Sequence, residues 1–219
     1  AHPVKAYAQK NPHSMGSWNP DSKTHVAHME SGDFYGSEQS HVMTDTTNVN
    51  IVLKSDNGEN TLLKENLSLL SGEVIDASVM NRKALRKFLT SEIADAREKG
   101  VLFSIHMKAT MMKVSDPIIF GHAVSVFFDD VYEKYATTFE SIGVDPNNGL
   151  GDLYSKLNEL PSEQQDSIRS DIEALSSQRP RLAMVDSDRG ITNLHVPSDI
   201  IIDASMPAMI RTSGRMWGP

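Results

Sequence analysis

A lysine carried into a partly desolvated site by a buried strand can have its pKa lowered and serve as a base or proton shuttle. Lys108 has that setting: it lies in the stretch His106-Met107-Lys108-Ala109-Thr110-Met111-Met112-Lys113, directly after the apolar run Val101 to Ile105 (VLFSI). Lys113 is a rival in the same stretch, and for either lysine the plainer role is to snorkel at a strand edge. The second chemical position is Asp203, which ends the run Asp199 to Asp203 (DIIID) and precedes Ala204-Ser205-Met206-Pro207. A carboxylate at a strand end suits a hard cation such as Mg²⁺, which takes oxygen donors and only a few of them from protein. The same place suits a helix N-cap. Asp186 and Asp188 form a competing pair, although carboxylates on a turn more often satisfy local backbone amides. Asp116, directly before Pro117, is expected to cap a helix.

The histidines are a separate possibility. Five of the eight, His2, His13, His25, His28 and His41, fall in the first 48 residues. Only His25 and His28 are close together, and without a periodic element to hold them the default is solvated or capping imidazoles, with a metal site as the sharper alternative. There is no G-x-S-x-G, Walker loop, G-x-G-x-x-G or H-E-x-x-H, so the short catalytic motifs decide nothing.

The elements that would carry these residues follow from pattern. Val49, Ile51 and Leu53 alternate, Asp56-Asn57-Gly58 follows, and Leu62 and Leu63 resume, which predicts a β-hairpin whose Asn-Gly pair takes positive φ. Gly32 and Gly36 flank Asp33-Phe34-Tyr35, read as a turn with aromatic anchors. Ser78 to Lys99 repeats apolar residues at helical spacing and closes at Gly100. VLFSI reads as a strand buried on both faces. Pro117 opens a well-buried helical segment to about Tyr135; Asp145 to Gly149 is a loop. Leu150 to Leu160 is helical up to Pro161, and Ser162 with Gln165 forms a capping box for a polar helix to about Ser177. Arg181 to Val185 and Asp199 to Asp203 are short strands, and Pro207 starts a helix ending at Gly214. Strands alternating with helices predict an α/β fold: a mixed sheet with flanking helices and an attached hairpin. Residues 1–48 read as a loop-rich segment and 49–219 as the α/β core.

Composition bounds the partners. The chain has 219 residues, 21 basic against 29 acidic side chains, a net charge of −8 and no cysteine. Nothing offers the basic surface a nucleic-acid or anionic-membrane binder needs, so neither partner is expected. No stretch is long and apolar enough to span a bilayer and no leader pattern is seen, while the absence of cysteine suits a reducing cytosol; a cytoplasmic location is expected. The chain starts Ala1-His2-Pro3 and stops at Gly218-Pro219, ends that read as those of a piece of a longer chain.

Three long stretches, SIHMKATMMKVSDPIIFGH (Ser104 to His122), NNGLGDLY (Asn147 to Tyr154) and ITNLHVPSDIIIDASMPAMIR (Ile191 to Arg211), resemble the monomeric type of NADP-dependent isocitrate dehydrogenase found in bacteria. DSKTHVAHMESGDFYGSE (Asp21 to Glu38) and GEVIDASVMNRKALRKF (Gly72 to Phe88) are similar to the same family in the same order, so the resemblance covers nearly the whole chain. It implies an isocitrate/isopropylmalate dehydrogenase-like fold, part of the large domain of a longer, monomeric enzyme of the tricarboxylic acid cycle and glyoxylate bypass. The implied reaction is oxidative decarboxylation of isocitrate to 2-oxoglutarate and CO₂ with reduction of NADP⁺, assisted by Mg²⁺ or Mn²⁺ as a Lewis acid.

Position by position, the family's catalytic and substrate-contacting lysine falls on Lys108, and one of its metal-binding aspartates on Asp203. The resemblance thereby favours Lys108 over Lys113 and Asp203 over Asp186. The family's partner tyrosine, remaining metal aspartates, substrate arginines and NADP-binding residues have no counterpart in these 219 residues. The chain alone is therefore expected to be inactive. The alternatives are a non-catalytic tricarboxylate- or protein-binding module derived from the family, and a decarboxylating dehydrogenase for another 2-hydroxy acid.

Overall fold

The computed structural model describes residues 19–105 and 112–196, together with 6, 9, 10 and 107. Lys108, Asp203, the expected strand Asp199 to Asp203 and the helix after Pro207 lie outside the described residues. The chain divides into two compact units, one of Met29–Leu85 and one of Ala1–His28 with Arg86–Pro219.

The Met29–Leu85 unit nests one antiparallel pair inside another. β1 (Gln39–Val42) pairs with β4 (Val74–Ala77), and the hairpin of β2 (Thr47–Lys54) and β3 (Asn60–Leu69) runs between them in sequence. The hairpin is where the alternation placed it, but its turn has a different chemistry. The Gly58 N–H donates to the Ser55 carbonyl at 2.9 Å, and only Gly58 takes positive φ, +86°. This is a type I turn closed by a left-handed glycine, the arrangement of longer hairpin loops. Asn57 instead accepts from the Glu59 N–H through Oδ1 at 3.1 Å, an Asx contact that leaves it at negative φ. Farther along, Asn66 at φ 52° donates its N–H to Asn50 Oδ1 at 2.9 Å where the register slips.

The Gly-flanked turn also differs from expectation. Phe34–Ser37 forms one helical turn capped by Asp33, whose Oδ1 accepts from the Gly36 N–H at 3.0 Å. Tyr35 is 88% exposed, so the aromatics do not anchor it. The Ser37 hydroxyl does so, donating to the Val79 carbonyl at 2.7 Å and accepting from the Val79 N–H at 2.8 Å.

Helix α1 (Arg82–Lys99) starts four residues later than the periodicity suggested, because Asn81 acts as the cap: its Oδ1 accepts from the Ala84 N–H at 3.0 Å. It ends as the glycine predicted. Gly100 sits at φ +68° and the Val101 N–H reaches back to the Ala96 carbonyl at 3.0 Å.

The expected single helix after Pro117 is three: α2 (Ser115–Phe127), α3 (Asp129–Lys134) and α4 (Ala136–Ser141). The first break, at Phe128 (φ −113°, ψ 34°), lets neighbouring Phe127 and Phe128 both bury to 1% exposure. In a continuous helix they would point about 100° apart. It also makes Asp129 and Asp130 the first turn of a new helix, where the macrodipole favours acids. α2 begins ahead of Pro117 because the Asp116 N–H already donates to the Met112 carbonyl at 3.1 Å. Asp116 is thus buried in the first turn, and Val114, with no side-chain bond, holds the cap position expected for Asp116.

α5 (Gly149–Lys156) follows a 3-10 turn at Pro146–Asn148, and α6 (Ser162–Gln178) follows Pro161. The capping box is absent. Ser162 is already helical, and Gln165 Nε2 donates to the Leu160 carbonyl at 2.8 Å instead. Phe120, Val124, Phe127, Phe128, Val131, Phe139, Leu150, Leu153, Leu157, Ile168 and Ile172 fill the core of this unit. Phe127 links its rings, 5.9 Å from Phe103 and 4.9 Å from Phe128, spacings at which aromatic pairs attract beyond their buried area.

Within that core the Tyr132 hydroxyl is buried without a hydrogen-bond partner among the described residues. Burial, then the negative charges of Asp152 and Asp145, push its pKa upward. An unsatisfied buried hydroxyl costs about 1–3 kcal/mol. Tyr132→Phe in the whole protein is expected to be neutral or to stabilise by about 1 kcal/mol, read from the urea midpoint; a clear loss of stability would mean the hydroxyl is bonded.

The sheet content of this unit's described residues is smaller than expected. β5 (Met184–Asp186) and β6 (Ile191–Thr192) make an antiparallel hairpin, and VLFSI forms only a single parallel bridge, Phe103 to Leu182. Of that run Phe103 alone is fully buried. The described fold is α/β, with helices and small sheets. No helix of the described residues is long and apolar enough to cross a membrane.

Candidate functional site

The described residues form a mounting for the runs that come before Lys108 and Asp203 in sequence. The run that precedes Lys108 in sequence is fastened at Phe103 and at Ile105. The Phe103 N–H donates to the Arg181 carbonyl at 2.8 Å, and the Ala183 N–H donates to the Phe103 carbonyl at 2.9 Å. Asn193, 8% exposed, then holds the next residue but one in both directions: Nδ2 donates to the Ile105 carbonyl at 2.7 Å and Oδ1 accepts from the Ile105 N–H at 2.6 Å. A primary amide is suited to this, having a donor and an acceptor side by side as a strand backbone does. Lys108 follows Ile105 by three positions in sequence, so Asn193 holds the chain shortly before it.

The residues directly after Asn193 are tied down as well. The N-terminal turn of α5 has no side-chain cap; the N–H groups of Leu150 and Gly151 donate to the carbonyls of Leu194 and His195 at 3.0 and 2.8 Å. These are the donors a helix start leaves open. Close approach requires glycine: a Cβ on Gly149 would lie 2.3 Å from the His195 carbonyl oxygen, and one on Gly121 would lie 1.9 Å from Asn147 Oδ1. Gly121 on α2, Asn147 before α5, and Leu194 and His195 after β6 therefore interlock. The Arg86 guanidinium of α1 adds a bond to Ser125 Oγ of α2 at 2.8 Å. The three stretches that carried the family resemblance in this part of the chain are thus neighbours in space.

Sequence alone gives His195 no role, since a lone histidine in a turn carries no signal. Its Nδ1 accepts from the Thr192 N–H at 2.9 Å, which leaves the ring proton on Nε2, and the ring lies 5.8 Å from that of Tyr154. Burial lowers its pKa below the usual 6.5. In acid the unfolded chain then binds a proton that the folded chain resists, so this contribution to stability is whole above pH 6.5 and is lost as pH falls below it. Unfolding of the whole protein is expected to be more acid-sensitive than that of His195→Asn, which keeps an acceptor for Thr192 without the titration. Equal pH profiles would contradict this.

The other candidates take plainer positions. Lys113 lies on an exposed turn. Asp186 accepts from the Arg189 N–H at 3.2 Å in the β5–β6 turn, where Asp188 is exposed, the local amide role expected of turn carboxylates. His41 is exposed on β1 and His28 is exposed in a segment without regular secondary structure. His25 lies beside Asp95, its Nε2 3.4 Å from the carboxylate Oδ2. His2 and His13, like Lys108 and Asp203, lie outside the described residues.

The family model for monomeric isocitrate dehydrogenase matches residues 1–219. Isocitrate dehydrogenase (NADP) 2 of Colwellia maris is 60% identical over 216 residues, 99% of this chain and 29% of that protein. Isocitrate dehydrogenase (NADP) of Azotobacter vinelandii is 57% identical over 216 residues, and isocitrate dehydrogenase (NADP) 2 of Mycobacterium tuberculosis is 53% identical over 215. The chain spans 29% of the length of these curated relatives. Matched from end to end, and folded so that the stretches bearing the likeness meet around Asn193 and His195, the chain belongs to the monomeric isocitrate dehydrogenase family.

Proposed function

We propose that this chain is part of the large domain of an NADP-dependent isocitrate dehydrogenase, with an isocitrate/isopropylmalate dehydrogenase-like fold completed by sequence outside these 219 residues. The reaction is oxidative decarboxylation of isocitrate to 2-oxoglutarate and CO₂. The observation that carries this reading is the likeness over 98–99% of the chain to proteins named isocitrate dehydrogenase (NADP).

In this reading Lys108 contacts isocitrate and moves a proton at the reacting centre, while Asn193 positions the lysine segment through Ile105. Asp203 supplies one hard oxygen donor, the type Mg²⁺ and Mn²⁺ take, and so fits as one ligand of such a cation. When bound, the cation polarises the substrate's hydroxyl and carboxylate oxygens. The whole protein acts as a monomer, in the cytoplasm, in the tricarboxylic acid cycle and glyoxylate bypass.

One lysine and one metal ligand are not a complete catalytic apparatus. The whole protein is expected to form NADPH from isocitrate, NADP⁺ and Mg²⁺, measured by absorbance, and the isolated 219-residue chain to form none. A whole protein without activity, or an isolated chain with it, would overturn the reading. If the whole protein bound isocitrate by calorimetry yet turned nothing over, a non-catalytic tricarboxylate-binding module would take its place.

A further inference from the structure

Outside the mounting described above, three side chains of one unit bring nitrogen and oxygen donors together. Glu92 and Asp95 are three residues apart on α1 and so share a face. His25 approaches from the irregular segment before Met29, and one donor atom from each of the three lies within 4.8 Å of the others. The imidazole is oriented. Its Nδ1 lies 2.9 Å from the Lys23 carbonyl oxygen, which can only accept, so Nδ1 carries a hydrogen. Nε2 therefore turns a lone pair towards Asp95 Oδ2, 3.4 Å away and also only an acceptor. Two acceptors facing each other leave a place for a cation between them, although Asp95 Oδ2 already has one positive partner, Lys99 Nζ at 2.8 Å.

We propose that His25, Glu92 and Asp95 bind a divalent transition cation of the Zn²⁺ type. One imidazole and two carboxylates leave a coordination position for water, as in three-ligand zinc sites. The bond from Nδ1 to the Lys23 carbonyl is the outer contact that holds a ligating histidine in its tautomer. The cationic groups around the site are Lys99, whose Nζ lies 2.8 Å from Asp95 Oδ2, and Lys23, whose Nζ donates to the Lys99 carbonyl at 3.3 Å. The Lys99 pair is an i,i+4 contact with both side chains partly exposed, a type held weakly in water. Lys99 can swing out, and the second oxygen of Asp95 remains available to the cation.

The test is calorimetric titration of the whole, chelator-stripped protein with Zn²⁺, with the visible spectrum of Co²⁺ as a second readout. The wild type is expected to bind one equivalent more than His25→Ala or Glu92→Gln, whose affinity at this site falls about tenfold or more. Lys99→Met keeps all three ligands and removes the competing cation, so it is expected to bind Zn²⁺ more tightly. Equal stoichiometry and equal Co²⁺ spectra in the wild type, His25→Ala and Lys99→Met would overturn the proposal and leave His25 as no more than a neighbour of Asp95. Because activity is not the readout, this outcome is separate from the fate of the dehydrogenase reading.

Discussion

Lys108→Met in the whole protein is expected to lower kcat for NADPH formation by about 10²–10⁴-fold, the range for loss of a positioned proton-transfer group. Methionine keeps most of the apolar stem and removes the ammonium, so the effect reports charge and proton transfer more than packing. KM for isocitrate is expected to rise as well, because in the proposed reading the same group contacts the substrate. Lys113→Met is the internal control: that side chain lies on an exposed turn, and its rate is expected to stay near that of the wild type. Comparable losses in both variants would mean that the stretch matters for its fold and not for one ammonium. Wild-type activity in Lys108→Met would remove the lysine from the mechanism.

Gly149→Ala is expected to destabilise the unit by about 3 kcal/mol and to take activity with it. Two costs add there. The backbone sits at φ +81°, and the new Cβ would meet the His195 carbonyl oxygen at 2.3 Å and its carbon at 2.7 Å. Both atoms are backbone, so the clash cannot be relieved by a rotamer change. The hairpin glycine provides the comparison. Gly58 has a similar φ of +86°, but nothing lies within 4 Å of where its Cβ would stand, so Gly58→Ala should cost only the left-handed penalty of about 1–2 kcal/mol. Chemical denaturation of the two variants separates strain from collision. Equal destabilisation would mean that the Gly149–His195 contact is looser than the structure has it.

The features legible in the sequence are those set by near neighbours. The glycine stop of α1, the β2–β3 hairpin and the polar α6 each depend on a few adjacent residues. Elsewhere a tertiary demand overrides the local pattern. Phe127 and Phe128 both bury, and that splits one predicted helix. Gln165 finds a carbonyl instead of the expected backbone N–H. VLFSI has the composition of a central strand, yet the Asn193 side chain takes the backbone bonds of Ile105.

The site divides along the same line. Lys108 and Asp203 stand out by the runs that precede them and are then favoured by resemblance. Asn193 and His195 carry no local signal, because their roles arise from contacts between segments far apart in the chain; Asn193 lies 88 residues from its partner Ile105. The pair of His25 with Asp95 is of the same kind, joining an irregular segment to the last turns of α1.

A crystal structure of the whole protein with isocitrate and Mg²⁺ tests most directly whether this chain delivers Lys108 and Asp203 to one substrate. Lys108 Nζ is expected at hydrogen-bond distance from isocitrate, about 3 Å, and an Asp203 carboxylate oxygen on the cation at about 2.1 Å. The Asn193 amide should still hold both backbone bonds of Ile105. Isocitrate bound with neither Lys108 nor Asp203 in contact with it or its cation would contradict both assignments.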